Sequence, residues 1–204
     1  MGEKINKYFD ARADHYLEKS DSGLWRIFRL KERDSIARLL NAKAQSSLLD
    51  LGSGAGYYSI YFKEHYMLDV FAIDTSAKMV NELKKRGVPC QQASVETMDL
   101  FKVFDNALAA GVLEFVDRPE VFFKLIGPMI RPGGRLVLLV PAAGLFGLGY
   151  KLLHGIGGCP ANIRSSHEYE NLAAMFGFKK IGTEKPTLIS RALCFEKIIE
   201  NSET

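Results

Sequence analysis

The stretch Leu48-Leu49-Asp50-Leu51-Gly52-Ser53-Gly54-Ala55-Gly56 runs from an apolar strand pattern straight into three glycines at alternate positions. Helix-forming residues follow from Tyr57 to Tyr66, and a second apolar run, Asp69 to Ile73, is closed by Asp74. Strand, glycine turn, helix and a second strand that delivers an acid make one βαβ unit. Glycines without Cβ let the backbone come close to a ligand. The helix start offers unpaired N–H groups. An acid ending the second strand can accept hydrogen bonds from both hydroxyls of a ribose. Together these features describe a pocket for an adenosine-containing cofactor.

The glycine spacing bears on which cofactor. A dinucleotide fingerprint is G-x-G-x-x-G with an acid about 20 residues on, whereas this chain has G-x-G-x-G at Gly52, Gly54 and Gly56. A pyrophosphate needs a helix N-terminus aimed at it. S-adenosylmethionine has no phosphate; it has a sulfonium, an amino group and a carboxylate. Asp50, inside the motif, would be awkward beside a pyrophosphate. It suits a loop that supports the amino-acid end of a ligand.

Four motifs in order extend the reading. They are Leu48 to Ser59 (LLDLGSGAGYYS), Val70 to Ser76 (VFAIDTS), Phe104 to Val116 (FDNALAAGVLEFV) and Ile130 to Pro141 (IRPGGRLVLLVP). In these the chain resembles the class I S-adenosylmethionine-dependent methyltransferases, in particular the small-molecule branch that includes quinone-biosynthesis enzymes. The resemblance covers roughly Tyr8 to Phe178. It implies a Rossmann-like, doubly wound α/β fold: a mostly parallel seven-stranded sheet with an antiparallel last strand, in a single domain. It also implies S-adenosylmethionine as cofactor, and it leaves the methyl acceptor open.

At 204 residues the chain is long enough for one domain with a sizeable core. A net charge of +3, with no basic run of five or more, does not imply nucleic-acid binding. Cys90, Cys159 and Cys194 are scattered and lack a C-x-x-C pair, the usage of a reduced cytoplasmic protein. The start, Met1-Gly2-Glu3-Lys4, shows no signal-peptide apolar region, and no stretch is long and apolar enough to span a bilayer. No His/Asp/Glu cluster points to a metal.

The spacing predicts a helix over residues 3–20 and a second from Leu24 to Leu40; the resemblance implies that these, with residues up to 45, form an N-terminal helical lid. Residues 46–204 form the cofactor-binding core, with a lid-like insert at 142–166 rich in Gly, Leu and Phe. Strands are expected at Ser47–Leu51, Asp69–Ile73, Val88–Ala93, Phe104–Ala109, Arg135–Val140, Lys179–Thr183 and Ile189–Ile198. Helices are expected at Tyr57–Tyr66, from Ser76 as cap to Gly87, at Pro119–Ile130 and at Glu168–Phe176. Pro132-Gly133-Gly134 reads as the turn into strand five. Alternating strands and helices mean a parallel sheet, and the short final connection means a hairpin.

Ligands of such sheets bind beyond the carboxyl ends of the strands, where the strand order reverses. The residues expected around the cofactor are therefore Asp50, Gly52, Ser53, Gly54, Gly56, Tyr57, Asp74, Thr75, Met79, Ser94, Val95, Ala110 and Gly111. Asp74 also suits a helix cap, and Met79 also suits the core. The family often places an Asp where Ser94 stands, so a hydroxyl or backbone contact is expected there. Ala110 and Gly111 are small, and a carbonyl there can take the ligand's ammonium. Asp105 falls at the opposite end of strand four and is read as structural.

Methyl transfer is a displacement at a carbon the sulfonium already activates, so alignment and water exclusion are the main tasks. A phenol or hydroxyl acceptor benefits from a base, for which His154 and His167 are the candidates. The family's frequent His after strand four is Phe115 here, and Glu114 beside it reads as a solvated or capping residue. Tyr8 and Tyr16 resemble an opening common in the quinone-related branch, which implies that they, with Phe115, touch the acceptor; they are two helical turns apart and can share a face, and core packing explains them equally well. The insert either lines a greasy pocket or makes a peripheral membrane contact. The expected partner is a small, lipophilic methyl acceptor rather than nucleic acid, with the protein a monomer or homodimer. A protein or RNA methyltransferase, and a cofactor-binding protein without turnover, are the alternatives.

Overall fold

The computed structural model describes Tyr8, Asp10 and residues 23–144 and 160–199. Tyr8 and Asp10 are helical. The elements then run α1 (Gly23–Leu40), β1 (Ser47–Leu51), α2 (Tyr57–Tyr66), β2 (Asp69–Asp74), α3 (Ala77–Lys85), β3 (Cys90–Gln92), β4 (Phe104–Ala110), α4 (Pro119–Ile126), β5 (Ile130–Pro141), α5 (Ser166–Met175), β6 (Phe178–Glu184) and β7 (Ser190–Lys197). Short 3₁₀ turns sit at Leu113–Phe115 and Gly127–Met129.

The seven strands form one sheet in the order β3-β2-β1-β4-β5-β7-β6. The pairs among β1 to β5 are parallel, and β7 is antiparallel to both its neighbours. The order therefore turns back between β1 and β4, which opens a crevice beyond their carboxyl ends. β1 and β4 are central strands, and they read as nearly unbroken apolar runs because both of their faces are covered. Leu49 and Leu51 join the core layer beneath α4 and α5, while Leu48 joins the layer beneath α1 and α2.

Local signals set most boundaries. The Ser76 hydroxyl accepts the Met79 N–H and starts α3, and Gly87, at φ 65°, follows its end. α5 begins with a capping box: Ser165 accepts the Glu168 N–H, and the Glu168 carboxylate accepts from Ser165. Glu170, by contrast, pairs with Lys180 and takes no part in the cap.

Four expectations need correction. The predicted helix Pro119–Ile130 stops as α-helix at Ile126 and tightens to 3₁₀, because Pro128 has no N–H to continue the ladder. β5 starts at Ile130, not Arg135, and carries Pro132-Gly133-Gly134 within it. Its register on β4 jumps from Phe104↔Ile130 to Asn106↔Arg135, a bulge that absorbs the extra residues. A Cβ on Gly134 would lie 2.4 Å from the Asp105 carbonyl oxygen, so only glycine fits that crossing. β3 is shorter than Val88–Ala93, pairing only through Cys90–Gln92 at the sheet edge. Glu114 is neither solvated nor a cap: it is buried, 1% exposed, in the turn after β4. Arg164 closes that turn by donating to the Leu113 and Val116 carbonyls at 3.1 and 3.3 Å, and the Asn162 N–H bonds the Glu114 carbonyl.

Candidate active site

The crevice at the switch point is an open cleft, with about 540 Å³ of space unfilled by protein when the solvent at its mouth is included. Gly52 and Gly54 form one side. The end of β2 supplies Asp74 and Thr75, with Met79 from α3. Beyond β3 come Ala93 and Val95, and beyond β4 come Ala110, Gly111, Val112 and Phe115.

Among the described residues, Asp74 is the only charged one on this wall. Its Oδ2 accepts the Gly54 N–H at 2.8 Å, and its Oδ1 accepts the Ser76 N–H at 2.9 Å. Each carboxylate oxygen has a second lone pair, so the group still has acceptor capacity for hydroxyls. Burial pushes the Asp74 carboxyl up from the ordinary aspartate range; the N–H groups of Ser76, Gly54 and Thr75 pull it back, and the nearby Asp10 carboxylate pushes it up again. Asp10 itself accepts the Ser76 hydroxyl. Gly52, at φ +64°, approaches so closely that a Cβ would sit 2.4 Å from Val112 Cγ2. The loop and the β4 end thus touch across the floor of the cleft.

Eight of the expected cofactor residues line the cleft: Gly52, Gly54, Asp74, Thr75, Met79, Val95, Ala110 and Gly111. Five stand elsewhere. Asp50 is buried beneath the loop, 1% exposed, and accepts the Ser59 hydroxyl. Burial first, and then the Asp74 carboxylate, push it up to about 7 against the opposing Ser59 hydrogen bond. Ser53 ties the loop to β2, its N–H donating to the Ile73 carbonyl at 3.0 Å. Gly56 is the N-cap of α2. Tyr57 lies with its ring 5.8 Å from the Arg29 guanidinium. The Ser94 hydroxyl accepts the Glu96 N–H at 3.2 Å, closing its own turn.

Val112 lines the cleft without having been expected, and Ala93 lines it as the first residue of the 93–96 loop that was expected to converge there. Ala93 ends the apolar run of the third strand, and Val112 follows the small Ala110-Gly111 pair, so both stood one position from residues already singled out. Phe115, expected at the acceptor, reaches the cleft wall while being buried. Tyr8 is half-buried and does not line the cleft. His167 is exposed in the first turn of α5, its Nε2 3.3 Å from Asn171 Nδ2, and is not part of the cleft wall. Tyr16 and His154 lie outside the described residues. Among the described residues, no group of three or more His, Cys, Asp or Glu could hold a metal ion, and no helix is long and apolar enough to cross a membrane.

A doubly wound sheet with a glycine loop and a strand-end acid at its switch point defines a Rossmann-like protein that takes a nucleoside cofactor. Residues 49–138 match the family described as "Methyltransferase domain". Ribosomal RNA small subunit methyltransferase G of Streptococcus agalactiae is 33% identical over 121 residues, 54% of this chain and 51% of that protein. Ubiquinone biosynthesis O-methyltransferase of Nitrobacter winogradskyi is 33% identical over 109 residues, 50% of this chain and 41% of that protein. The chain thus spans about half the length of the curated relatives it matches. Magnesium protoporphyrin IX methyltransferase of Synechocystis, solved with S-adenosylhomocysteine bound, shares the fold with a TM-score of 0.75 at 17% identity, over 95% of this chain and 98% of that one. Residues 49–138 thus carry a match to a methyltransferase domain, within a fold shared with solved methyltransferases.

Proposed function

We propose that this chain transfers a methyl group from S-adenosylmethionine to a small, lipophilic acceptor by in-line displacement. The character of the cleft wall carries the reading. Among the described residues, every lining residue apart from Asp74 and Thr75 is apolar or glycine. Such a wall excludes water and aligns two reactants, and its described residues offer no cation for a phosphate backbone.

The cofactor supplies a methyl carbon already activated by a sulfonium. Asp74 accepts the ribose hydroxyls with the lone pairs left by Gly54 and Ser76. Gly52 and Gly54 would hold the methionine portion, and the carbonyls of Ala110 and Gly111 would take its ammonium. Met79 and Val95 enclose the base. Val112 and Phe115 form the apolar end nearest the acceptor. Asp50 supports the loop from beneath through Ser59 rather than touching the ligand. Catalysis then rests on orientation, with residues 1–45 as a lid and 142–166 as the acceptor-side insert.

A second reading, methylation of RNA, is favoured by the ribosomal RNA methyltransferase relative. One experiment separates the two. The protein is incubated with methyl-tritiated S-adenosylmethionine and either an organic extract of cells or ribosomal RNA. Label in the organic phase supports the small-molecule reading; label that stays with RNA overturns it.

A further inference from the structure

Under the glycine loop lies a carboxylate that the cleft wall conceals. Asp50 stands on the same face of β1 as Leu48, in the layer beneath α1 and α2. It precedes Gly52 by two residues, roughly 7 Å along the strand. Its carboxylate accepts the hydroxyl of Ser59, in the first turn of α2. The glycine loop joins β1 to α2, so the carboxylate sits directly beneath it. Asp50 is 1% exposed and does not line the cleft.

The groups around Asp50 are neutral or negative. Its strand neighbours are Ala72 of β2 and Leu108 of β4. From α2 come the hydroxyl and N–H of Ser59, and from the end of β2 comes the Asp74 carboxylate, near enough to raise the Asp50 carboxyl. Beyond it, Asp10 raises Asp74 in turn. On the α1 side, the Arg29 guanidinium lies 3.6 Å from the Glu32 carboxylate and donates to the Tyr58 hydroxyl at 3.2 Å, so that cation is already matched. Among the described residues, no cation pairs with Asp50 or Asp74.

Substrate and product of methyl transfer differ in charge. S-adenosylmethionine bears a sulfonium, an ammonium and a carboxylate, one net positive charge. When the methyl–sulfur bond breaks, its electron pair stays on sulfur and leaves a neutral thioether. The methyl carbon bonds to the acceptor, whose proton goes to solvent. A buried anion close by attracts the net cation and gains nothing from the neutral product.

We propose that Asp50 is a specificity-determining residue for the cofactor: its carboxylate, fixed under the glycine loop, acts through space to favour the cationic methyl donor over the neutral demethylated product. The proposal rests on the methyl-transfer reading and assigns this preference to one residue behind the wall of the site. Burial, and then Asp74, hold the Asp50 carboxyl at about 7 against the Ser59 hydrogen bonds, so it is partly protonated at neutral pH. The preference therefore grows as pH climbs through that value.

Calorimetric titrations of S-adenosylmethionine and S-adenosylhomocysteine without acceptor, on the full native chain and on Asp50→Asn, test this. The native chain's affinity ratio of methyl donor to product is divided by that of Asp50→Asn at the same pH, so the ligands' own ionisations cancel. That quotient is expected to rise about fivefold between about pH 6 and pH 8. Near neutral pH the native chain also releases more protons on binding S-adenosylmethionine than Asp50→Asn does, read from heats in buffers of different ionisation enthalpy. Ser59→Ala keeps the carboxyl and removes a hydrogen bond to its charged form, so in that variant the preference grows at higher pH than in the native chain; this comparison stands if Asp50→Asn does not fold. A quotient that stays flat, with Asp50→Asn weakening both ligands alike at every pH, overturns the proposal and leaves Asp50 as support for the loop alone. An unshifted profile in Ser59→Ala overturns it too. If the native chain binds neither ligand, it is the methyl-transfer reading that falls.

Discussion

Asp74 Oδ2 accepts the Gly54 N–H at 2.8 Å, so the acid that ends β2 holds the glycine loop that ends β1. The same carboxylate has two tasks: it shapes the loop, and it is the acceptor proposed for the ribose. Removing it therefore loses both. Asp74→Ala is expected to weaken S-adenosylhomocysteine binding by about 2 kcal/mol or more, roughly thirtyfold, measured by calorimetry. Asp74→Asn keeps the volume and loses less. Because burial holds this carboxyl above the ordinary aspartate range, affinity falls on acidification sooner than an ordinary aspartate would dictate.

Gly52→Ala tests the floor of the cleft. The new methyl group meets Val112 Cγ2 at 2.4 Å, and φ is +64°, so both space and backbone oppose it. The variant is expected to be less stable by about 1–3 kcal/mol in urea unfolding and to bind cofactor at least tenfold more weakly. A variant that folds and binds normally would mean that loop and β4 end do not touch as described.

Asp50 gives a pH-dependent prediction with a definite sign. Its folded-state pKa of about 7 is raised above the ordinary 3.8, chiefly by burial. A raised carboxyl contributes stability that is complete below its unfolded pKa and is lost as pH climbs through the folded value. Asp50→Asn abolishes that titration. It is expected to match the native chain near pH 4 and to exceed it increasingly up to pH 7, by about 4 kcal/mol at most. Urea midpoints measured across that range check it; a constant difference contradicts the buried, Ser59-bonded placement.

Arg164 tests the strap that closes the turn after β4. Its guanidinium serves the Leu113 and Val116 carbonyls, both at buried residues. Arg164→Ala leaves those acceptors without it, at a cost of about 1–3 kcal/mol. Cofactor affinity should fall modestly alongside, because Gly111, Val112 and Phe115 on the cleft wall belong to the same turn.

The path from sequence to fold was legible where the chain's own periodicity decides. β1 and α2 fall on the bounds their residues imply, because an apolar run meets a glycine turn and a helical pattern follows at once. Strand five was misread because Pro-Gly-Gly is a turn signal in isolation; its place inside β5 depends on a bulge against β4, a long-range crossing that no local pattern carries. Glu114 was misread for a similar reason. A glutamate in a turn favours solvent unless another segment covers it, and here residues 162 and 164 do. Around the cleft, the glycines and Asp74 announced themselves by spacing. Ser94 and Asp50 carried the right chemistry but turn it inward, towards Glu96 and Ser59.

The central claim is that the cleft between the glycine loop and Asp74 holds S-adenosylmethionine, and titration calorimetry with its demethylated product tests it most directly. One saturable site for S-adenosylhomocysteine, no heat with NAD, and a marked loss of affinity in Asp74→Ala are the results expected. No binding of S-adenosylhomocysteine by the folded native chain, or equal binding by Asp74→Ala, would contradict it.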